Sequence, residues 1–200
     1  LREALRVLEA EGLITVRPGA KGGPIVAEPD PDRLTRLLTL LLIAWGATLR
    51  DVYDARIAFE PLTARKAAEA AGAEEIAEMR RSVDALDEAL DDEATVIKEN
   101  QRFHGLIGKA SGNPVLVAFS MSLVSIFDGY AMGTHFDARA RLEVVKFHTA
   151  IVEAIGAGDP DAAEKATLAH IEDSIKFLEK RFPTLLDEPL KPTLLNPRAG

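Results

Sequence analysis

Apolar residues recur every three or four positions through most of this chain, a spacing that places them on one face of an α-helix. From residue 31 onward this pattern predicts seven helices, separated by short stretches rich in Gly, Pro, Asn and Asp. We expect them at about residues 31–45, 49–70, 73–90, 94–110, 114–132, 137–157 and 160–181. The body of the protein is therefore predicted to be an all-α helical bundle.

The first residues follow a different pattern. The segment LREALRVLEAEGL has helical spacing and ends at Gly12, a residue type that commonly terminates helices. In LITVRPGAKGGPIVAEP, two short runs rich in β-branched residues flank a glycine-rich stretch, which predicts a β-hairpin with Arg17 and Lys21 near its tip. A helix followed by a two-stranded hairpin is the pattern of the second half of a winged helix-turn-helix.

These patterns divide the chain into three parts. Residues 1–28 are predicted to form a partial winged helix-turn-helix domain, and residues 29–182 a helical domain. Residues 183–200 are rich in proline, which cannot continue a helix. We expect this last part to be an extended tail, either mobile or docked on a neighbouring molecule.

Composition narrows the class of protein. Hydrophobic residues make up 47% of the 200, enough for one domain with a small appendage. The longest apolar stretch, LLTLLLIAWG, is too short to span a bilayer, and no signal peptide is evident, so we expect a cytoplasmic protein. The net charge of −8 argues against a protein that coats nucleic acid, although a small basic module could be hidden in that sum.

Three histidines provide the clearest candidate chemistry. His104 follows Asn100 by four residues, so both side chains lie on one helix face, while His148 and His170 lie on two later helices. Imidazole nitrogens suit Zn, Ni, Cu, Fe or Co, and three of them plus one oxygen leave coordination positions open for a ligand. The alternative is that each histidine is a hydrogen-bonded core residue. His135 fits neither pattern and is interpreted as a surface residue.

Longer motifs carry a family resemblance. The segment LREALRVLEAEGLITVRPGAKGG resembles the recognition helix and wing of GntR-family bacterial transcription regulators. The stretches ARIAFEPLTARKAA, NQRFHGLIGKASGNPVL and HTAIVEAIGAGDPDAAEKATLAHI resemble the helical effector-binding domain of the FadR subfamily, called FCD. The resemblance implies an antiparallel FCD-like bundle in a homodimer that binds a palindromic operator. It also implies a small carboxylate effector, often bound through a metal.

The resemblance assigns roles to individual residues. The FCD metal pattern falls on Asn100, His104, His148 and His170, which implies a divalent transition metal such as Zn or Ni. The family often has aspartate where this chain has Asn100, and because an amide oxygen is a weaker donor we expect lower metal affinity. Arg56 matches an arginine that reaches the ligand cavity, and its guanidinium suits a carboxylate. The alternative for Arg56 is an i,i+4 ion pair with Glu60.

The DNA-binding half also carries family positions. Arg2 matches an arginine that the family uses on DNA, Gly19 matches the glycine at the wing tip, and Arg17 is a further candidate. The helices that precede a recognition helix in this family are absent from the sequence. We therefore expect operator binding from the intact protein and no specific operator binding from this 200-residue form.

The function expected from these features is ligand-controlled transcription regulation, in which the effector favours one dimer geometry over another. Two other classes stay open on the sequence. Three histidines with open positions also describe metal-dependent enzymes acting on small organic acids, although no evident general base accompanies them. A helical dimerisation module without metal or ligand is the third possibility.

Overall fold

The computed structural model describes residues 1–19, 22–27, 31–131 and 137–192. Its elements in chain order are α1 (Arg2–Ala10), β1 (Ile14–Arg17), β2 (Gly23–Val26), α2 (Pro31–Ala44), α3 (Leu49–Ala70), α4 (Ala73–Glu88), α5 (Glu93–Ala110), α6 (Pro114–Ala131), α7 (Ala138–Gly156), α8 (Pro160–Arg181) and a short 3₁₀ helix (Leu185–Asp187). The predicted fold class, a helical bundle preceded by a helix and a hairpin wing, is confirmed.

Side-chain caps fix where several helices begin. The Thr48 hydroxyl accepts a hydrogen bond from the Asp51 amide (3.2 Å), and the Asp51 carboxylate accepts one from the Thr48 amide (2.7 Å). This reciprocal pair starts α3 by satisfying amides that have no partner within the helix. Asp159 caps α8 in a similar way, with Pro160 following it as the first helical residue.

The first element and the hairpin form a small unit of their own. Gly12, at φ +68°, follows the end of α1 in the left-handed conformation that glycine adopts without strain. Strands β1 and β2 pair antiparallel, with Ile14 opposite Val26. The Arg33 guanidinium of α2 donates a hydrogen bond to the Ala10 carbonyl at the end of α1 (2.6 Å), so a side chain of the bundle holds this unit. Lys21 lies outside the described residues.

The core of the bundle consists of two apolar clusters, one at the C-terminal half of α3 and the other at its N-terminal half. The first cluster joins α3 to α4, α5, α7 and the start of α8, around Phe103 and Ile151. The other joins α3 to α6, α8 and the segment that follows α8. Helix α3 is therefore the central element, and three of its polar residues, Arg56, Glu60 and Thr63, are buried. Among the described residues, no helix combines the length and apolar character needed to cross a bilayer.

The segment after α8 packs against the start of α3. Leu186 and Leu190 are buried, and the Leu190 amide donates a hydrogen bond to the Ala47 carbonyl (2.8 Å). Arg50 forms an ion pair with Asp187 (2.7 Å). The described part of the predicted tail thus contacts its own bundle, while residues 193–200 lie outside the described residues.

Candidate metal and effector site

Three histidines from three different helices meet in the bundle core. His104 of α5, His148 of α7 and His170 of α8 are all buried, and each offers a ring nitrogen within 4.8 Å of the others. Their ring centroids are 4.9 to 5.7 Å apart. The residues selected by spacing are therefore brought together by the fold.

A hydrogen bond orients the first of these rings. Nδ1 of His104 lies 3.2 Å from Oε2 of Glu60, so Nδ1 carries the ring hydrogen and donates a hydrogen bond to the carboxylate, while Nε2 keeps its lone pair. Within the described part of the chain, Nε2 of His104 and both ring nitrogens of His148 have no hydrogen-bond partner, although all three are buried. Unpaired buried nitrogens are costly, and imidazole nitrogens are donors that divalent transition metals prefer. The residues present fit such an ion.

Burial also sets the protonation state of the cluster. It lowers the pKa of His148 well below 6.5, and the nearby His170, His104 and Arg56 act in the same direction. Burial, with His104 and Arg56, lowers the pKa of His170 to about 3. Both rings are therefore neutral at neutral pH, which is the form of imidazole that binds a metal.

Arg56 and Glu60 form a buried ion pair beside the histidines. The side chains are 1% and 3% exposed, and Nε of Arg56 lies 2.6 Å from Oε1 of Glu60. Burial alone would raise the pKa of Glu60, but the positive charge of Arg56 and the hydrogen bond from His104 lower it below its ordinary value. Nη1 of Arg56 has no partner among the described residues. The i,i+4 ion pair is thus present, and one guanidinium nitrogen is free.

Asn100 faces a residue that the sequence analysis did not select. Its Nδ2 donates to both carboxylate oxygens of Asp128 on α6, at 3.1 and 3.3 Å. Burial raises the pKa of Asp128 to about 7, although Arg56 and the hydrogen bond from Asn100 oppose that shift. The available signal was that Asp128 is the one charged residue in an otherwise apolar stretch, PVLVAFSMSLVSIFDGYA. Buried charges of this kind often mark functional sites.

Some of these polar groups line a pocket between α3, α5, α6, α7 and α8, whereas His104, His148 and Glu60 are not part of its lining. The pocket encloses about 630 Å³, including space open to solvent. Its polar lining comprises Arg56, Glu93, Asn100, Asp128, Arg141, His170 and Ser174, and its apolar lining Val96, Ile97, Phe127 and Val144. A pocket with convergent polar groups and an apolar wall suits a small molecule. Arg141, which donates to the Leu90 carbonyl (2.7 Å), adds a second cation to the wall.

The candidate DNA-binding residues lie apart from these groups in the chain, on α1 and the hairpin. Arg2 begins α1 and is exposed, and Arg17 ends β1 opposite Gly23. Gly19 follows at φ +110°, a conformation that favours glycine. The other histidine considered, His135, lies outside the described residues.

Comparison with known proteins identifies a domain family and similar transcriptional repressors. The FCD domain family matches residues 51–173. The chain is 27% identical over 176 residues to the HTH-type transcriptional repressor NanR of Salmonella newport (strain SL254), covering 86% of this chain and 67% of that protein. The repressor of the same name from Salmonella typhi is also 27% identical, with 66% of it covered. The chain thus spans about two thirds of the length of these relatives.

Solved structures share the fold. Streptococcus agalactiae GntR superposes with a TM-score of 0.64 at 21% identity, covering 88% of this chain and 80% of that one. E. coli McbR/YncC superposes with a TM-score of 0.59 at 18% identity, covering 91% and 84%. At these identities the likeness concerns the fold alone.

Proposed function

This chain belongs to the GntR-family transcription regulators that carry an FCD domain, and from that premise we propose that its helical domain is a metal-dependent sensor of a small carboxylate. The observation that supports this proposal best is the buried histidine cluster, whose unpaired nitrogens lie beside a guanidinium with a free Nη1. Regulators of this family bind operator DNA and small-molecule effectors and typically dimerise. The relatives are transcriptional repressors and not enzymes, so the enzyme alternative is set aside.

We assign the metal ligands to His104, His148, His170 and Asn100. Glu60 holds His104 in the tautomer whose Nε2 can bind a cation, and burial keeps His148 and His170 neutral. A divalent transition ion such as Zn or Ni would supply a positive charge that attracts an anionic effector. Neutral donors leave that charge undiminished in the first coordination shell.

The effector would be held by Arg56. Its Nε and Nη2 are directed to Glu60, while Nη1 is available to a ligand in the pocket that Arg56 lines. Because Glu60 fixes the guanidinium on one edge, the free donor is held in place before the ligand arrives, which lowers the entropic cost of binding. A carboxylate is the anion that matches such a donor beside a cation site.

Residues 1–28 would form the recognition helix and wing of a partial winged helix-turn-helix domain, and residues 29–182 the effector-binding and dimerisation domain. Residues 183–200 would form the proline-rich C-terminal tail. In the intact regulator, Arg2, Arg17 and Gly19 would lie against the operator, and the effector would bias the spacing of two winged helices in a homodimer. The hydrogen bond from Arg33 of α2 to the Ala10 carbonyl connects the bundle directly to α1.

Metal analysis tests the first half of the proposal. The protein is stripped with a chelator, reloaded with Zn or Ni, freed of excess metal and analysed for bound ion. We expect a stoichiometric ion in the wild type and in Lys146→Ala, an exposed position on the same helix as His148. His148→Ala should lose it. Equal metal content in His148→Ala would refute the site.

A thermal-shift screen tests the second half. A panel of small acids, including acetate, lactate, citrate and gluconate, is tested on metal-loaded and metal-stripped protein. A ligand at a hundred times its dissociation constant adds about 2.7 kcal/mol of stability. We expect an acid to stabilise only the loaded form and Arg56→Lys to lose most of that shift, whereas Arg65→Lys, at a more exposed position on α3, keeps it. The absence of any metal or acid effect would favour a bare dimerisation unit.

A further inference from the structure

A buried carboxylate, that of Asp128, contacts one of the proposed metal ligands. Asp128 of α6 accepts hydrogen bonds from the side-chain amide of Asn100, which lies one helical turn before His104. Asp128 is 2% exposed, so this charge is almost fully withdrawn from water. Both residues line the same pocket as His170 and Arg56.

The hydrogen bonds to Asp128 decide which end of the Asn100 amide points away from Asp128. An ionised carboxylate only accepts hydrogen bonds, so it selects the NH₂ end of the amide and rejects the carbonyl oxygen. The oxygen of Asn100 is thereby left for another partner, and oxygen is the amide atom that binds a cation.

The same carboxylate supplies charge. A cation held by Asn100 and three neutral histidines would have no negative ligand, while Arg56, Glu60 and Asp128 are buried charged residues that contact the proposed ligands or each other. The charge of Glu60 is already shared with Arg56. The ionised Asp128 carboxylate therefore provides a negative charge beside the ligand Asn100, and such a charge attracts a divalent ion strongly where water is excluded.

We propose that Asp128 is a positioning residue of the cation site: it orients the Asn100 amide and supplies, from α6, the negative charge that Asn100 lacks. The inference rests on the proposed metal site. It concerns binding of the ion itself, so it can be tested without knowing the effector.

The experiment compares the affinity for Zn²⁺, measured by competition with a chelator of known affinity, among four folded proteins. Removing a residue of this kind weakens metal binding about 10- to 100-fold, and we expect this loss for Asp128→Asn. Asp54→Asn, which removes the same charge from an exposed position on α3, should bind like the wild type. The exchange variant Asn100→Asp/Asp128→Asn keeps one carboxylate and one amide and should recover most of the affinity.

The outcomes separate the two proposals. Zn²⁺ binding by Asp128→Asn as tight as by Asp54→Asn would overturn the role of Asp128 while leaving the histidine site intact. If the exchange variant binds Zn²⁺ as weakly as Asp128→Asn, the role of Asp128 is also overturned, because a carboxylate at position 100 would then not replace the one at position 128. If the wild type fails to bind Zn²⁺ through His148, the metal site itself is refuted. Circular dichroism of each metal-free variant checks that it is folded.

Discussion

Replacing Glu60 by glutamine in the metal-free protein tests how the bundle tolerates the buried charge of Arg56. Glu60 accepts from Nε and Nη2 of Arg56 and pairs with Nδ1 of His104, all in a site where both charged side chains are at most 3% exposed. Removing one partner of a buried pair leaves an uncompensated charge and typically costs about 3–5 kcal/mol. Because whole domains are stable by only about 5–15 kcal/mol, the loss would be a large share of the total.

The assay is urea unfolding of chelator-treated protein, followed by circular dichroism and extrapolated to zero denaturant. We expect Glu60→Gln and Arg56→Met each to lose about 3–5 kcal/mol, and the double variant Arg56→Met/Glu60→Gln to lose clearly less than their sum. The resulting coupling energy should be at least about 2 kcal/mol.

An exposed pair provides the control. Arg81 and Glu74 lie 3.0 Å apart, but their side chains are 53% and 83% exposed. Their coupling should fall between about 0 and 1 kcal/mol, because water and salt screen exposed charges. Equal coupling energies for the two pairs would refute the argument that burial makes the Arg56–Glu60 pair strong.

Three further predictions concern charge, capping and packing. For Asp128, whose pKa burial raises to about 7, the folded state takes up a proton at a pH where the unfolded carboxyl is still ionised. The free energy of unfolding of the wild type, relative to that of Asp128→Asn, should therefore rise by roughly 2–3 kcal/mol as the pH falls from about 8 to about 5. Urea unfolding of the metal-free proteins measures this difference, and a difference that does not change with pH would contradict the raised pKa. Thr48→Ala should cost about 0.5–2 kcal/mol in the same assay by removing the cap of α3, and no loss would show that the cap is dispensable. Ile151→Ala should lower the free energy of unfolding by about 2–5 kcal/mol because Ile151 is fully buried. Leu142→Ala, at a 39% exposed position on the same helix, should lower it by less than about 1 kcal/mol, and equal losses would count against the packing described for α7.

Local features of the fold were predictable from the sequence. The periodicity of apolar residues locates every helix from α2 to α8 within a few residues, since each amphipathic stretch is bounded by its own caps and breaks. Asp159 and Pro160 mark the start of α8 for that reason. The hairpin follows from β-branched runs around a glycine-rich stretch.

Features that depend on packing between distant segments were less accessible. Spacing alone related Asn100 to His104, but the meeting of His148 and His170 with them depends on how α7 and α8 cross α5. The Arg56–Glu60 pair was readable as an i,i+4 contact, whereas its burial is set by the helices around α3. Asp128 was missed because its partner, Asn100, is 28 residues away on another helix. Metal binding by the four candidate ligands stays a prediction.

The packing of residues 186–190 against the start of α3 has a consequence for folding during translation. Helix α3 packs extensively on α8, and its apolar residues Leu49 and Tyr53 share a core with Leu186 and Leu190. The 120 residues between Ala70 and Leu190 take about 6–24 s to translate at typical rates. During that interval Leu49 and Tyr53 of the nascent α3 lack residues that cover them in the folded bundle, so this part of the core can close only after Leu190 has left the ribosome.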